Sequence, residues 1–182
     1  GVQTCALPIF LKVVKTFNVL FLCTGNSARS ILAEALLTTL SEGKFIGFSA
    51  GSKPTGKVHP IAKEFAIKMG YPENNLRSKS WNEFTKSNAP HMDFIITVCD
   101  NAANESCPLW IGHPITVHWS FPDPASIEGC DKDIRLAFQK TLNTIKEHIE
   151  LFIKLPFEDL DHEAIKESIQ AIHENGEKHS TT

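Results

Sequence analysis

Cys23 and Arg29 stand six positions apart at the ends of Cys23-Thr24-Gly25-Asn26-Ser27-Ala28-Arg29, with Ser30 next in line, and these residue types suit one kind of chemistry. A thiolate is a strong nucleophile, and a planar guanidinium can hold two oxygens of a tetrahedral anion at once. Gly25 and Asn26 tolerate the positive φ that a tight loop needs in order to turn its N–H groups inward. Thr24, Gly25, Asn26, Ser27 and Ala28 can thus form an oxyanion nest that Arg29 closes. Cys23 would sit on the floor of this positive bowl, where a thiol pKa near 8.5 falls to roughly 3.5–7.5. Ser30 is placed to donate to the sulfur and lower it further, so Cys23 is expected as a thiolate at neutral pH. A nucleotide P-loop would carry Lys in place of this Cys/Arg pair.

Such a loop needs a strand before it and a helix after it. Val19 to Leu22 is an apolar run of strand length, and Ile31, Leu32, Ala35, Leu36 and Leu40 recur at helical spacing until Gly43. The positive end of that helix adds to the bowl, and Glu34, one turn beyond Ser30, can brace the loop from behind. Phe45 to Ala50 reads as a second strand, with Gly51 permitting a sharp turn. Pro60 to Met69 reads as a helix, and Trp81 to Phe84 as a short one whose Trp81 and Phe84 anchor the core. Phe94 to Val98 is a third buried strand ending at Cys99. A polar segment, Asp100 to Ser106, then leads to Cys107 and Pro108. Ile115 to His118 is the fourth strand, followed by the turn Phe121 to Pro124. Lys132 to Ile153 is a long amphipathic helix and Leu160 to Ile172 a shorter one. Strands alternating with helices predict an α/β fold with a four-stranded parallel sheet and helices on both faces. The C-terminal strand ends share one edge in such a sheet, so the sulfurs of Cys23 and Cys99 are expected on the same side.

The chain has 182 residues, 42% of them hydrophobic, enough for one domain with a substantial core. A net charge of −3 gives no general attraction for nucleic acid or an acidic membrane, so any anion site must be local. No run approaches a membrane span and no secretory leader is evident. Five cysteines, an odd number without framework spacing, fit a reducing, cytoplasmic setting. The expected organisation is a leader over residues 1–15, a domain over 16–156, a C-terminal helix over 157–174 and a disordered tail over 175–182.

The loop residues, together with Ser49-Ala50-Gly51 and Asp123-Pro124, resemble the low-molecular-weight protein-tyrosine phosphatase superfamily. Thr97-Val98-Cys99-Asp100-Asn101-Ala102-Ala103 and Cys107-Pro108 resemble its arsenate reductase branch, and the likeness runs from about Phe17 to Leu155. The resemblance implies strand order 2-1-3-4 and Asp123 as the general acid over the bowl. The leader does not fit the family pattern and reads as a foreign or read-through segment; Cys5 within it is given no role. Some family reductases bind potassium through residues matching Asn26, Glu34 and Ser49. Their further carboxylate falls at Lys79 here, whose ammonium would repel a cation, so Lys79 is expected to neutralise Glu34 itself.

A thiolate in an oxyanion bowl can attack phosphorus or arsenic(V), and the further thiols decide between them. Phosphoester hydrolysis needs no second thiol. Arsenate reduction needs one to attack the Cys23–arsenic adduct at sulfur, and Cys99 and Cys107 offer a relay ending in an external reductant, thioredoxin or glutathione with glutaredoxin. Asp123-Pro124 is followed by Ala125 and Ser126, and the chain has one tyrosine, so the mouth lacks aromatic walls for phosphotyrosine. A phosphatase and a non-catalytic oxyanion sensor remain as rival readings. A zinc set of Cys99, Cys107, His113 and His118 lacks the close Cys pairing of structural zinc, no metal or bound cofactor is expected, and Cys130 matches no relay position.

Overall fold

The apolar runs become four parallel strands, β1 (Phe17–Cys23), β2 (Phe45–Gly51), β3 (Phe94–Thr97) and β4 (Ile115–His118), in spatial order β2-β1-β3-β4. The structure, a computed structural model, describes residues 15–106 and 108–179. Nearly all of the expected leader, with Cys5, therefore lies outside the described residues, as do Cys107 and residues 180–182. The helices are α1 (Arg29–Leu40), α2 (Pro60–Lys68), α3 (Asp100–Asn104), α4 (Asp131–Ile153) and α5 (His162–His179). Two differ from expectation. Asp100 to Asn104, read as part of a polar connection, is a short helix, too brief for periodicity to betray. The last helix continues to His179, through most of the stretch expected to be a disordered tail.

All four residues of β3 are buried, as a central parallel strand covered on both faces requires. The cover is unequal. Val19, Phe21, Ile96 and Val117 pack with Leu32 and Leu36 of α1, Phe138, Ile149 and Phe152 of α4, and Ile169 of α5. Leu20, Leu22 and Ile95 pack beneath Phe84, Met92, Trp81 and Trp110, so a single 3₁₀ turn (Trp81–Phe84) and the loops that carry Met92 and Trp110 close that side. Trp81 and Phe84 are thus core anchors.

Register places the chemistry. Cys23 pairs with Gly51 across β1–β2 and Leu22 with Thr97 across β1–β3, so the ends of three strands meet at one edge. β4 is an outer strand. Trp119 N–H donates to Thr97 O at 2.8 Å, so the alternate N–H groups of His118 and Ser120 face away from the sheet. There α5 supplies acceptors, Gln170 Oε1 at 3.4 Å and His173 Nε2 at 3.0 Å, while Trp119 Nε1–H donates to Ile169 O at 3.1 Å. A helix thus closes an edge that would otherwise be open for pairing. Among the described residues no helix is long and apolar enough to cross a membrane.

Candidate active site

The loop between β1 and α1 is shaped by its carbonyls. Those of Cys23, Thr24, Gly25 and Ser27 accept hydrogen bonds from the N–H groups of Ser52, Lys53, Thr55 and His59, at 2.9–3.3 Å, in the β2–α2 connection. Each peptide is planar with its N–H opposed to its C=O, so the amides of Thr24, Gly25, Asn26 and Ala28 turn away from the β2–α2 connection. Gly25 N–H bonds Cys23 and Thr24 N–H bonds Cys99. Within the loop, Asn26 adopts a positive φ of 44° and Gly25 does not. Gly51 serves a purpose other than the expected turn: a Cβ there would stand 2.5 Å from Thr24 O, so its bare backbone lets β2 approach the loop.

Behind the loop lies a buried polar brace. Asn26 Nδ2 donates to Ser30 Oγ (3.0 Å) and Ser49 Oγ (2.9 Å), and Asn26 Oδ1 accepts from Lys79 N–H (2.7 Å). Glu34 accepts from Ser49 Oγ and from Tyr71 Oη (2.5 Å), and Lys79 Nζ stands 3.3 Å from its Oε2. The ammonium therefore meets Glu34 as the sequence suggested. Ser30 is corrected: the bonds to Cys23 come from Gly25 N–H and Cys99, and Ser30 Oγ instead accepts from Asn26, its neighbour four residues back. Tyr71, the chain's one tyrosine, belongs to this brace and not to the mouth.

In front, Arg29 Nη1 donates to Phe121 O at 2.9 Å and Nη2 pairs with Asp123 Oδ2 at 3.0 Å, while Asp123 Oδ1 accepts from Ala125 N–H at 3.1 Å. His59, at the start of α2, accepts from Ile61 N–H through Nδ1, stacks on Phe138 at 4.5 Å and is held below its ordinary pKa by burial, against the pull of Asp123. Sequence reading gave His59 no role and missed the 52–59 connection entirely, because the latter acts through its backbone.

The two described thiols of the loop edge touch. The Cys23 thiol hydrogen-bonds Cys99, and Thr24 Oγ1 lies 3.7 Å from Cys99 Sγ. Two buried sulfurs side by side cannot both be anionic, so ionising one raises the other. Cys99 is lowered to about 5, first by its interaction with Cys23 and then, against burial, by the N–H groups of Ala102 and Thr24. Cys23 is pushed up by that same interaction and by burial, which outweigh Arg29. The expected lowering of Cys23 by Arg29 is present but opposed by Cys99 and by burial, with Arg29 itself turned toward Phe121 and Asp123. Cys99 begins α3, whose Asp100 Oδ1 is 3.1 Å from His118 Nε2 on β4. Cys107 lies outside the described residues. Cys130 is exposed at the start of α4, bonded to Asp133. Among the described residues no three His, Cys, Asp or Glu side chains converge as metal ligands.

Comparison with known proteins adds to this geometry. The family model "Low molecular weight phosphotyrosine protein phosphatase" matches residues 18–170. An arsenate reductase of Shouchella clausii is 33% identical over 132 residues, 72% of this chain and 91% of that protein. The solved structure "An arsenate reductase in oxidized state" is 26% identical with a TM-score of 0.59, covering 75% of this chain and 95% of that one. The thioredoxin-dependent arsenate reductase of Corynebacterium glutamicum is 25% identical with a TM-score of 0.50, covering 76% of this chain and 64% of that one.

Proposed function

This chain belongs to the low molecular weight phosphotyrosine protein phosphatase family, and we propose that within it the protein is an arsenate reductase working through Cys23, Cys99 and Cys107. The observation that carries this reading is that Cys99 stands at the end of β3 beside the end of β1, its sulfur 3.7 Å from the hydroxyl of Thr24, the residue that follows Cys23. A phosphatase has no use for a second thiol against its nucleophile, whereas a reductase must form a disulfide there.

Arsenate enters the nest of Thr24 to Ala28 and takes Arg29, with phosphate as a competing anion. As Cys23 attacks arsenic, its proton passes along the existing bond to Cys99. The displaced oxygen leaves as water with a proton from Asp123, acting as general acid. Cys99 then releases its proton to solvent, helped by the N–H groups of Ala102 and Thr24, and its thiolate attacks Cys23 Sγ. The sulfur–arsenic bond breaks with its electron pair left on arsenic, and arsenite departs. Cys107 next attacks Cys99, freeing Cys23 and leaving a Cys99–Cys107 disulfide for an external dithiol to reduce. The C. glutamicum relative's name favours thioredoxin over glutathione with glutaredoxin. The setting is a reducing one, the cytoplasm.

The test compares the two serine variants in an NADPH-coupled assay with arsenate, using thioredoxin and its reductase or glutathione with glutaredoxin. Cys99→Ser and Cys107→Ser should each lower turnover by roughly 10³-fold or more, a scale set by loss of a whole covalent step. Slow hydrolysis of p-nitrophenyl phosphate should survive in both. Undiminished arsenate turnover in either variant is incompatible with the relay.

A further inference from the structure

The front of the bowl hangs from three consecutive residues whose hydrogen-bonding groups are held by the C-terminal helix. His118 N–H, Trp119 Nε1–H and Ser120 N–H donate respectively to Gln170 Oε1, Ile169 O and His173 Nε2 of α5. The next residue, Phe121, is the one whose carbonyl takes Arg29 Nη1, and Asp123, which takes Nη2, is two further on. The path from α5 to the guanidinium is thus His173, Ser120, Phe121, Arg29, with a hydrogen bond at each end and one peptide unit between. Trp119 is fully buried against α4 and α5, so this segment cannot slide without moving α5.

We infer that His173 is a positioning residue for oxyanion binding: by accepting the Ser120 N–H it sets where Phe121 O stands and so where Arg29 points. His173 lies beyond residue 170, where the family match ends. Its ring is ordered for the task. Ser120 N–H donates to Nε2, so the ring proton sits on Nδ1, which faces His148 Nε2 at 3.3 Å, and His148 Nδ1 in turn faces Thr144 O at 2.8 Å. This run fixes both imidazoles in one orientation, and both are buried. The inference rests on the oxyanion-bowl reading but not on arsenate reduction, and its probe is therefore inorganic phosphate.

Two substitutions separate the bonds. Gln places its terminal amide near the position of Nε2 and can still accept from Ser120, whereas Asn reaches only as far as Nδ1 and keeps the side facing His148. In calorimetric titration of the full chain with phosphate, His173→Asn should weaken binding about tenfold, the scale of leaving a buried backbone donor without an acceptor. His173→Gln should stay within about threefold of the unmodified protein. Maximal arsenate turnover at saturation should change less than KM in His173→Asn, because the thiol steps do not touch Phe121. Equal weakening in Asn and Gln, or none in Asn, overturns the inference. If the Asn variant does not fold, the unmodified protein decides: linkage requires phosphate to slow exchange of the Ser120 amide with solvent, and an unchanged rate overturns it. Phosphate that fails to bind the unmodified protein would instead count against the bowl reading itself.

Discussion

The two walls of the bowl are built from the same kinds of groups and held in opposite ways. At the rear, the Lys79 and Glu34 side chains are 6% and 5% exposed, and Asn26, Ser30 and Ser49 are fully buried. At the front, the Arg29 and Asp123 side chains are 14% and 41% exposed, and Asp123 leans on a turn. A buried polar group without its partner has no water to turn to, so the rear has one satisfactory arrangement. An exposed carboxylate can leave its partner at little cost. The difference suits an oxyanion site, where the nest must keep its shape while the lid must yield.

The strongest way to break this contrast is to remove the rear cation. Lys79→Met leaves the Glu34 carboxylate buried with only hydroxyl donors, and the protein should lose about 3–5 kcal/mol of stability, as breaking a buried pair does. Urea unfolding measures it. Adding Glu34→Gln to the same chain should return most of the loss, since the cost lies in the unpaired charge. A single variant as stable as the parent would mean that the rear is no stiffer than the front.

The floor between the walls gives the next largest effect. The Cys99 thiol is lowered to about 5, first by its bond from Cys23, so it is anionic above that pH and its alkylation by iodoacetamide should plateau from pH 6 upward. Cys23→Ala removes the main cause and raises the Cys99 midpoint toward the ordinary thiol value near 8.5, so its alkylation at pH 6.5 should slow by about tenfold or more. Mass spectrometry of the labelled peptide reads the rate. An unchanged rate would mean that the backbone N–H groups alone hold the charge.

The two walls were unequally legible in the sequence. The nest was readable because Cys, Asn and Arg each answer a local demand of a strand-to-helix loop. Lys79 against Glu34 was readable only through family likeness, being 45 residues away. The 52–59 connection left no trace, since N–H groups that any residue carries hold the loop carbonyls. The opposed shifts of Cys23 and Cys99 depend on the meeting of two strand ends, and spacing along the chain does not report them. α5 was found as a helix, but its grip on the edge of β4 lies in which acceptors meet which N–H groups, a matter of packing alone.

The smallest expected effect tests the yielding of the front. Asp123 and an incoming anion compete for Arg29 Nη2, whereas Phe121 O keeps Nη1 oriented. Asp123→Asn removes the competing charge but keeps an acceptor at Oδ1 for Ala125 N–H. Stability should change by less than about 1 kcal/mol, as for other half-exposed pairs. Phosphate binding should tighten by about threefold to tenfold, since an anion no longer displaces a carboxylate from the guanidinium. Titration with phosphate at constant ionic strength separates this from screening. Weaker binding would show that Asp123 helps to hold the anion through a proton, and the front would then be a second gripping wall and not a lid.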